Sequence, residues 1–224
     1  MAWNRGENIL LTTKNSKDEQ ISPNNCAKIL GITISNNLTW GQHLHKGKGA
    51  ILNKCKKKLG ALKHVASSGS IKNRKRLADG CVMSIITYGI QIWGVGAPKT
   101  ELKKVQTVQN LTASWVCNVP KWTKTKELLD KVGWLSINQL VYYHSVLTMW
   151  KVFKYNEPKN NMKNINHRSL HKGRIDLTRR TWSQRTLDFY NSLPMDVKNE
   201  PKISLFKSKI KKWIKMNIPI HEEE

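Results

Sequence analysis

The chain has 224 residues, of which 39% are hydrophobic and nine are Trp, so it is long enough to bury a core of its own. Its 39 Lys and Arg outnumber its 15 Asp and Glu, which gives a formal net charge of +24. This charge favours an anionic partner, nucleic acid first and an anionic membrane surface second. The aromatic and aliphatic residues along the whole chain argue against a histone-like tail.

Strand patterns come first along the chain. Residues 8–13 predict a strand and residues 14–25 a loop. Within residues 28–35 the apolar Leu30, Ile32 and Ile34 alternate, which predicts a strand with these three on one face. The pair Asn36-Asn37 suits a turn, after which residues 38–40 would return as the second arm. We therefore expect a small antiparallel β element.

Helical patterns follow. Apolar residues at three- to four-residue steps predict helices at about 42–66, 71–93, 100–116, 125–132, 136–155, 184–191 and 202–216. Ser70 is placed to cap the second helix, and Ser136 with Gln139 has the form of a capping box. The Asn- and Lys-rich residues 156–166 mark a boundary. The predicted fold is mostly α: a helical bundle after a small antiparallel β element, with a small α-rich C-terminal unit.

Signals for secretion, membrane insertion and metal binding are weak. Residues 1–7 have no apolar signal-peptide core, so we expect an intracellular protein, with residues 72–76 as a weak nuclear-import pattern. The uncharged residues 80–98 include four Gly and several polar side chains, which disfavour a membrane span, and we expect no membrane partner. The four Cys include no Cys-x-x-Cys pair, which argues against a zinc site.

Catalytic motifs are scarce. The sequence has no Asp-Asp pair for two-metal phosphoryl transfer and neither of the Gly-rich motifs of NTPases and hydrolases. Asp79 is expected to be solvated or ion-paired. His43 and His45 would face different sides of a helix, so we expect solvated side chains and not a metal pair. The sequence predicts no catalytic residue, no metal site and no cofactor.

Binding chemistry is better supplied. Residues 20–78 contain twelve Lys and Arg and no acid, so either the cations contact phosphates, which we favour, or they form a solvated helix face. An Arg-rich group near Trp182 suits bidentate phosphate contacts, and that indole either stacks on a base or packs in the core. The predicted backbone-binding residues are Lys54, Lys56, Lys57, Lys58, Lys63, Lys72, Arg74, Lys75, Arg76, Arg174, Arg179, Arg180 and Arg185.

Several short motifs follow one another between about residues 27 and 218. They are Ile29-Leu-Gly-Ile-Thr-Ile34 with Leu38-Thr-Trp40, Lys56-Lys-Lys-Leu-Gly-Ala-Leu62, Ile86-Thr-Tyr-Gly-Ile-Gln-Ile-Trp93, Val105-Gln-Thr-Val-Gln-Asn110, Val132-Gly-Trp-Leu-Ser136, Asn191-Ser-Leu-Pro194 and Phe206-Lys207. Their order resembles the C-terminal part of non-LTR retrotransposon reverse transcriptases of the jockey and related LINE-like groups. Ile29 stands where that family usually has an aromatic residue.

The resemblance implies that the hairpin is a primer grip, with Leu30 and Gly31 as its grip residues, and that the helices form a thumb and a C-terminal extension. These parts would hold a template–primer duplex of RNA or DNA. The resemblance also implies that the catalytic aspartates and their Mg²⁺ belong to an upstream palm that this chain does not contain. We therefore expect a C-terminal fragment of an RNA-directed DNA polymerase that is inactive alone.

The same resemblance gives a division into segments. Residues 1–40 would be the end of the palm and the primer-grip-like hairpin, 41–156 a helical thumb-like domain and 157–166 a linker. Residues 167–218 would be a basic C-terminal helical unit, and 219–224 an acidic tail. Two other functions stay open: a free-standing basic helical nucleic-acid-binding module, and a helical interaction or scaffold protein whose charge only keeps it soluble.

Overall fold

The protein is mostly helical, as predicted, with small antiparallel sheets before the helices. A computed structural model describes residues 9–12, 18–21, 25–47, 49–65, 69–155 and 182–220. The strands are β1 (Ile9–Thr12), β2 (Asp18–Ile21), β3 (Cys26–Ile29) and β4 (Ile32–Ser35), which form the antiparallel pairs β1–β2 and β3–β4.

Ten α-helices and two π-helical segments make up the rest of the described regular structure. The helices are α1 (Ile51–Val65), α2 (Ile71–Ala78), α3 (Ser84–Thr87), α4 (Ile90–Gly96), α5 (Lys99–Cys117), α6 (Thr125–Val132), α7 (Ile137–Tyr155), α8 (Trp182–Asn191), α9 (Met195–Lys198) and α10 (Ile203–Asn217). The π-helical segments are Gln42–Lys46, before α1, and Asp79–Met83, which joins α2 to α3 without a break.

The predicted hairpin is present, but its turn was predicted in the wrong place. The reversal occurs at Leu30 and Gly31, whose φ angles are +46° and +82°. It is a two-residue loop with positive φ at both positions, the geometry that matches the twist of the paired strands. Asn36 and Asn37 do form a turn, but residues 38–40 lead to the helices and do not pair as a strand. Strand β2 also occupies part of the predicted loop 14–25.

Two predicted helices are interrupted at glycines. The helix expected over 42–66 divides around Gly47 into a π-helical turn and α1. The helix expected over 71–93 breaks at Gly89, whose φ of +61° is left-handed and starts α4 in a new direction. Both caps are confirmed: Ser70 Oγ accepts a hydrogen bond from Asn73 N, and Ser136 exchanges two hydrogen bonds with Gln139.

Among the described residues, two groups of buried side chains form the core, and α7 contributes to both. The first group lies among the π-helical segments and α1 to α6, where Trp93 is fully buried. The second lies among α7, α8 and α10 and includes Trp150 stacked on Phe206. Helix α7 is therefore apolar nearly all round, as expected of a helix packed on several sides.

Helices α8 and α10 pack on α7. The predicted linker 157–166 lies outside the described residues, and the predicted division into segments stays a prediction. Within the described residues, no helix has both the length and the hydropathy for crossing a membrane.

Candidate nucleic-acid interface

The β3–β4 turn is docked on the break between α3 and α4. The Tyr88 hydroxyl donates a hydrogen bond to the Leu30 carbonyl oxygen at 2.7 Å. One residue on, Gly89 leaves room for the Ile32 side chain, because a Cβ atom at position 89 would lie 2.7 Å from Ile32 Cδ1. Trp93 Nε1 donates to the Tyr88 carbonyl oxygen at 3.0 Å. The hairpin therefore packs on the Tyr-Gly…Trp motif.

The tip of the hairpin exposes apolar groups. Leu30 is 85% exposed, although its left-handed backbone costs a non-glycine residue about 1–2 kcal/mol. Burial of the Leu30 side chain does not offset this strain. Tyr88, beside it, is 56% exposed. Strain of this kind is concentrated at binding sites, so the tip is a candidate contact surface.

A pocket of about 430 Å³ lies beneath the tip. Its walls come from the hairpin turn, the π-helical segment before α1, the start of α1, and the start of α3 with Tyr88 after that helix. Its lining residues are Leu30, Gly31, His43, Ile51, Lys54, Ser84, Ile85 and Tyr88. The pocket therefore has an apolar wall and, in Lys54, a cation from α1.

His43 joins the hairpin to the helices, so the prediction of a solvated side chain was wrong. The imidazole is 5% exposed, and its Nδ1 accepts a hydrogen bond from Thr33 N at 3.3 Å. Its ring meets Trp40 and Trp93 edge to face. Burial lowers the His43 pKa, and the charge on Lys54 lowers it further. Its Nε2 has no hydrogen-bond partner among the described residues.

His45 is also held in place instead of being solvated. Its Nδ1 lies 2.8 Å from Glu101 Oε2, so the π-helical segment is tied to the start of α5. The other oxygen of Glu101 lies 3.1 Å from Lys104 Nζ. The two histidines face different structural partners, as their spacing predicted, and neither belongs to a group of metal ligands within the described residues.

The five predicted lysines of α1 are all exposed, and none forms an ion pair within the described part of the chain. At about 3.6 residues per turn, these lysines are spread around the exposed side of the helix and do not form one row. Lys54 and Lys58 lie on one side of the buried stripe, and Lys56 and Lys63 lie on the other. Lys57 lies opposite the stripe. Lys54, which lines the pocket, identifies the first side as the one nearest the hairpin tip.

The cations of α2 have different environments. Lys72 and Arg76 are exposed, and Lys75 pairs with Asp79 at 3.8 Å. Arg74, predicted to contact phosphate, is only 7% exposed, and its charge reaches the Cys117 thiol at the end of α5. The structure therefore removes Arg74 from the exposed basic surface, because its position on α2 faces α5.

Asp79 contacts one side chain of the core and one side chain on α2. Besides its ion pair with Lys75, it accepts a hydrogen bond from Trp134 Nε1 at 2.8 Å. This contact fixes the turn between α6 and α7 against the π-helical segment after α2.

The second predicted basic group is only partly described. Arg185 donates a hydrogen bond to the Val95 carbonyl oxygen near the end of α4, where a cation also interacts favourably with the helix dipole. Its role in the described structure is thus to tie α8 to α4. Arg174, Arg179 and Arg180 lie outside the described residues, as does the Trp182 side chain, and their contacts with nucleic acid stay a prediction.

A buried polar network explains another motif. Gln109 is fully buried, and its Nε2 donates to the Leu135 carbonyl oxygen at 2.9 Å. Gln106 accepts a hydrogen bond from Ile137 N at 2.8 Å, and Asn110 donates to Thr125 Oγ1 at 2.7 Å. The motif Val-Gln-x-x-Gln-Asn therefore holds α5 to the start of α6 and to the turn between α6 and α7. The sequence shows these amides but not their partners.

Comparison with known proteins gives a partial match. Over 122 residues the chain is 27% identical to a Drosophila melanogaster protein described as "Probable RNA-directed DNA polymerase from transposon BS". The match covers 53% of this chain and 13% of that protein's length. This similarity relates the chain to a transposon RNA-directed DNA polymerase. No family model and no solved structure matches the chain.

Proposed function

We propose that this chain is the part of a non-LTR retrotransposon reverse transcriptase that holds the template–primer duplex. The similarity to a transposon RNA-directed DNA polymerase supports the class of enzyme. The motif order supports the C-terminal region, from the primer-grip hairpin through the thumb. One observation carries the proposal: the strained, exposed hairpin tip and the cationic side of α1 meet at the same pocket.

The proposed binding mode follows from the two kinds of group at this pocket. The ammonium groups of Lys54, Lys57 and Lys58 would neutralise successive phosphates of one strand, which fixes its position without reading its sequence. The apolar tip, Leu30 with Tyr88, would lie against the sugars of the same strand. Because Tyr88 holds the Leu30 carbonyl, the tip would stay in place when the duplex binds.

The catalytic residues of the polymerase are not expected in this chain. The sequence contains no Asp-Asp pair, and no group of metal-ligating side chains occurs among the described residues. We therefore propose that the catalytic aspartates and Mg²⁺ belong to a palm that is not in this chain, and that the chain alone does not polymerise DNA.

The test combines binding and activity. Fluorescence anisotropy with labelled RNA–DNA and DNA duplexes of equal length, at increasing KCl concentrations, should give measurable affinity that falls steeply with salt. A primer-extension assay with Mg²⁺ and deoxynucleotides should remain at background. Primer extension by the purified chain would contradict its proposed inactivity. Absence of duplex binding, or binding insensitive to salt, would contradict the proposed duplex contact and favour a scaffold.

A further inference from the structure

The turn between α5 and α6 exposes a large aromatic side chain. Trp122 is 79% exposed. The turn around it is closed by Thr123, whose backbone N–H and hydroxyl both donate to the Pro120 carbonyl oxygen, at 3.1 and 2.7 Å. Because its indole ring is exposed, Trp122 contributes little hydrophobic stabilisation to the fold. Trp122 also lies between the short motifs at residues 105–110 and 132–136 and belongs to neither.

The surroundings of Trp122 are cationic. Lys121, Lys124 and Lys126 are all exposed, and the sequence has no acid from residue 102 to residue 126. The nearest carboxylate along the chain, Glu127, is paired with Lys131 at 2.8 Å. The surface around the indole is therefore suited to an anion.

A cleft beside Lys126 reaches the last helix. It has a volume of about 300 Å³ and lies between Lys126, at the start of α6, and residues 215–220, at and after the end of α10. Lys215 lies on its far side, so cations flank the cleft on both sides. We call Trp122, Lys121, Lys124, Lys126 and Lys215 the Trp122 surface.

We propose that the Trp122 surface binds a single-stranded nucleic acid, with one base stacked on the indole and the phosphates along the lysines. A cationic groove combined with an exposed aromatic ring is the arrangement that binds single strands with little sequence preference. A duplex keeps its bases inside its own stack, so the indole distinguishes an unpaired strand from a paired one.

This surface shares no residue with the proposed duplex site and follows the end of α5, which lies beside α2. Burial raises the pKa of the Cys117 thiol, and the nearby cations of Lys131 and Arg74 oppose that rise, so the end of α5 lies beside α2. The turn with Trp122 follows directly.

The test uses the full chain and three labelled probes in anisotropy titrations: a 20-nucleotide oligo(dT), an abasic sugar–phosphate strand of the same length, and a blunt DNA duplex. Wild type should bind oligo(dT) about tenfold more tightly than the abasic strand, since stacking on one indole has an effect of that order. Trp122→Ala should remove this preference and leave duplex affinity within about twofold of wild type. Trp122→Phe should retain most of the preference.

Three outcomes would overturn the proposal. They are equal binding of oligo(dT) and the abasic strand by wild type, an unchanged preference in Trp122→Ala, and an equal loss of duplex and oligo(dT) affinity in that variant. Thermal unfolding of the variants should match wild type, because the side chain is exposed. Failure of duplex binding alone would contradict the proposed function and not this surface, since the oligo(dT) comparison does not depend on it.

Discussion

Gly89 lies directly against Ile32: a Cβ atom at position 89 would be 2.7 Å from Ile32 Cδ1, and the φ of Gly89 is +61°. The left-handed backbone favours glycine at this position, and any larger residue would also displace the end of the Ile32 side chain that packs on it. This contact couples the position of the hairpin to the break between α3 and α4.

Gly89→Ala should therefore destabilise the protein. The end of the Ile32 side chain shifts to make room for the added methyl group. The left-handed backbone costs a non-glycine residue about 1–2 kcal/mol, so we expect a loss of at least about 1 kcal/mol in the free energy of unfolding. Urea denaturation followed by circular dichroism measures it.

Gly60→Ala is the matched control. Gly60 lies within α1, and nothing lies within 4 Å of the position that a Cβ atom would occupy. Alanine should stabilise this helix by about 0.5–1 kcal/mol. Equal effects of the two substitutions would contradict the left-handed conformation of Gly89.

The buried amide of Gln109 should be needed for stability. Gln109→Ala removes the donor to the Leu135 carbonyl oxygen and leaves a cavity, so we expect a loss of about 2–4 kcal/mol. Lys103→Ala, on the exposed side of the same helix, should change stability by less than about 0.5 kcal/mol. Similar urea midpoints for the two variants would show that the network does not hold the α6–α7 turn.

Acidification should destabilise the protein through two histidines. Burial lowers the pKa of His43, with Lys54 adding to the effect, and burial followed by Lys151, Lys207 and Lys211 lowers the pKa of His144. As the pH falls below about 6.5, the unfolded chain binds these protons first, so the free energy of unfolding decreases. The decrease ends once the pH is below the folded-state values, where both states are protonated.

Urea midpoints at pH 7.5 and 5.5 measure this dependence. For each histidine the slope is at most about 1.4 kcal/mol per pH unit. His144→Gln should reduce the difference between the two midpoints, because one of the two contributing groups is gone. A His144→Gln variant with the pH dependence of wild type would contradict the assignment to His144.

Local patterns predicted much of the fold but not its docking. The spacing of apolar residues predicted α6 with the same first and last residues that the structure shows. The predicted capping box at Ser136 and Gln139 is present because both partners lie within one helical turn. The turn at Leu30 was missed because a leucine in an alternating run favours a continuous strand. The left-handed backbone of Leu30 is compatible with a hairpin turn, and Tyr88, 58 residues later in the sequence, donates a hydrogen bond to this turn.

The candidate site was predicted in composition more than in arrangement. The exposure of the α1 lysines follows from their place off the apolar stripe, which the sequence shows. The burial of Arg74 depends on α5, and that of His43 depends on β4, Trp40 and Trp93, so neither follows from the neighbouring residues. Charge density alone does not distinguish a surface cation from one packed between helices.

The most direct test of the duplex site compares two pairs of lysines on α1 that remove the same charge. Lys54→Gln with Lys58→Gln neutralises the side next to the hairpin tip, and Lys56→Gln with Lys63→Gln neutralises the other side. Duplex affinity measured against KCl concentration gives the slope of log K on log salt for each. The first pair should flatten the slope by about 1.8 and the second by less than about 0.5, because each phosphate contact contributes about 0.9. Equal changes for the two pairs, or a larger change for Lys56 and Lys63, would contradict the proposed site.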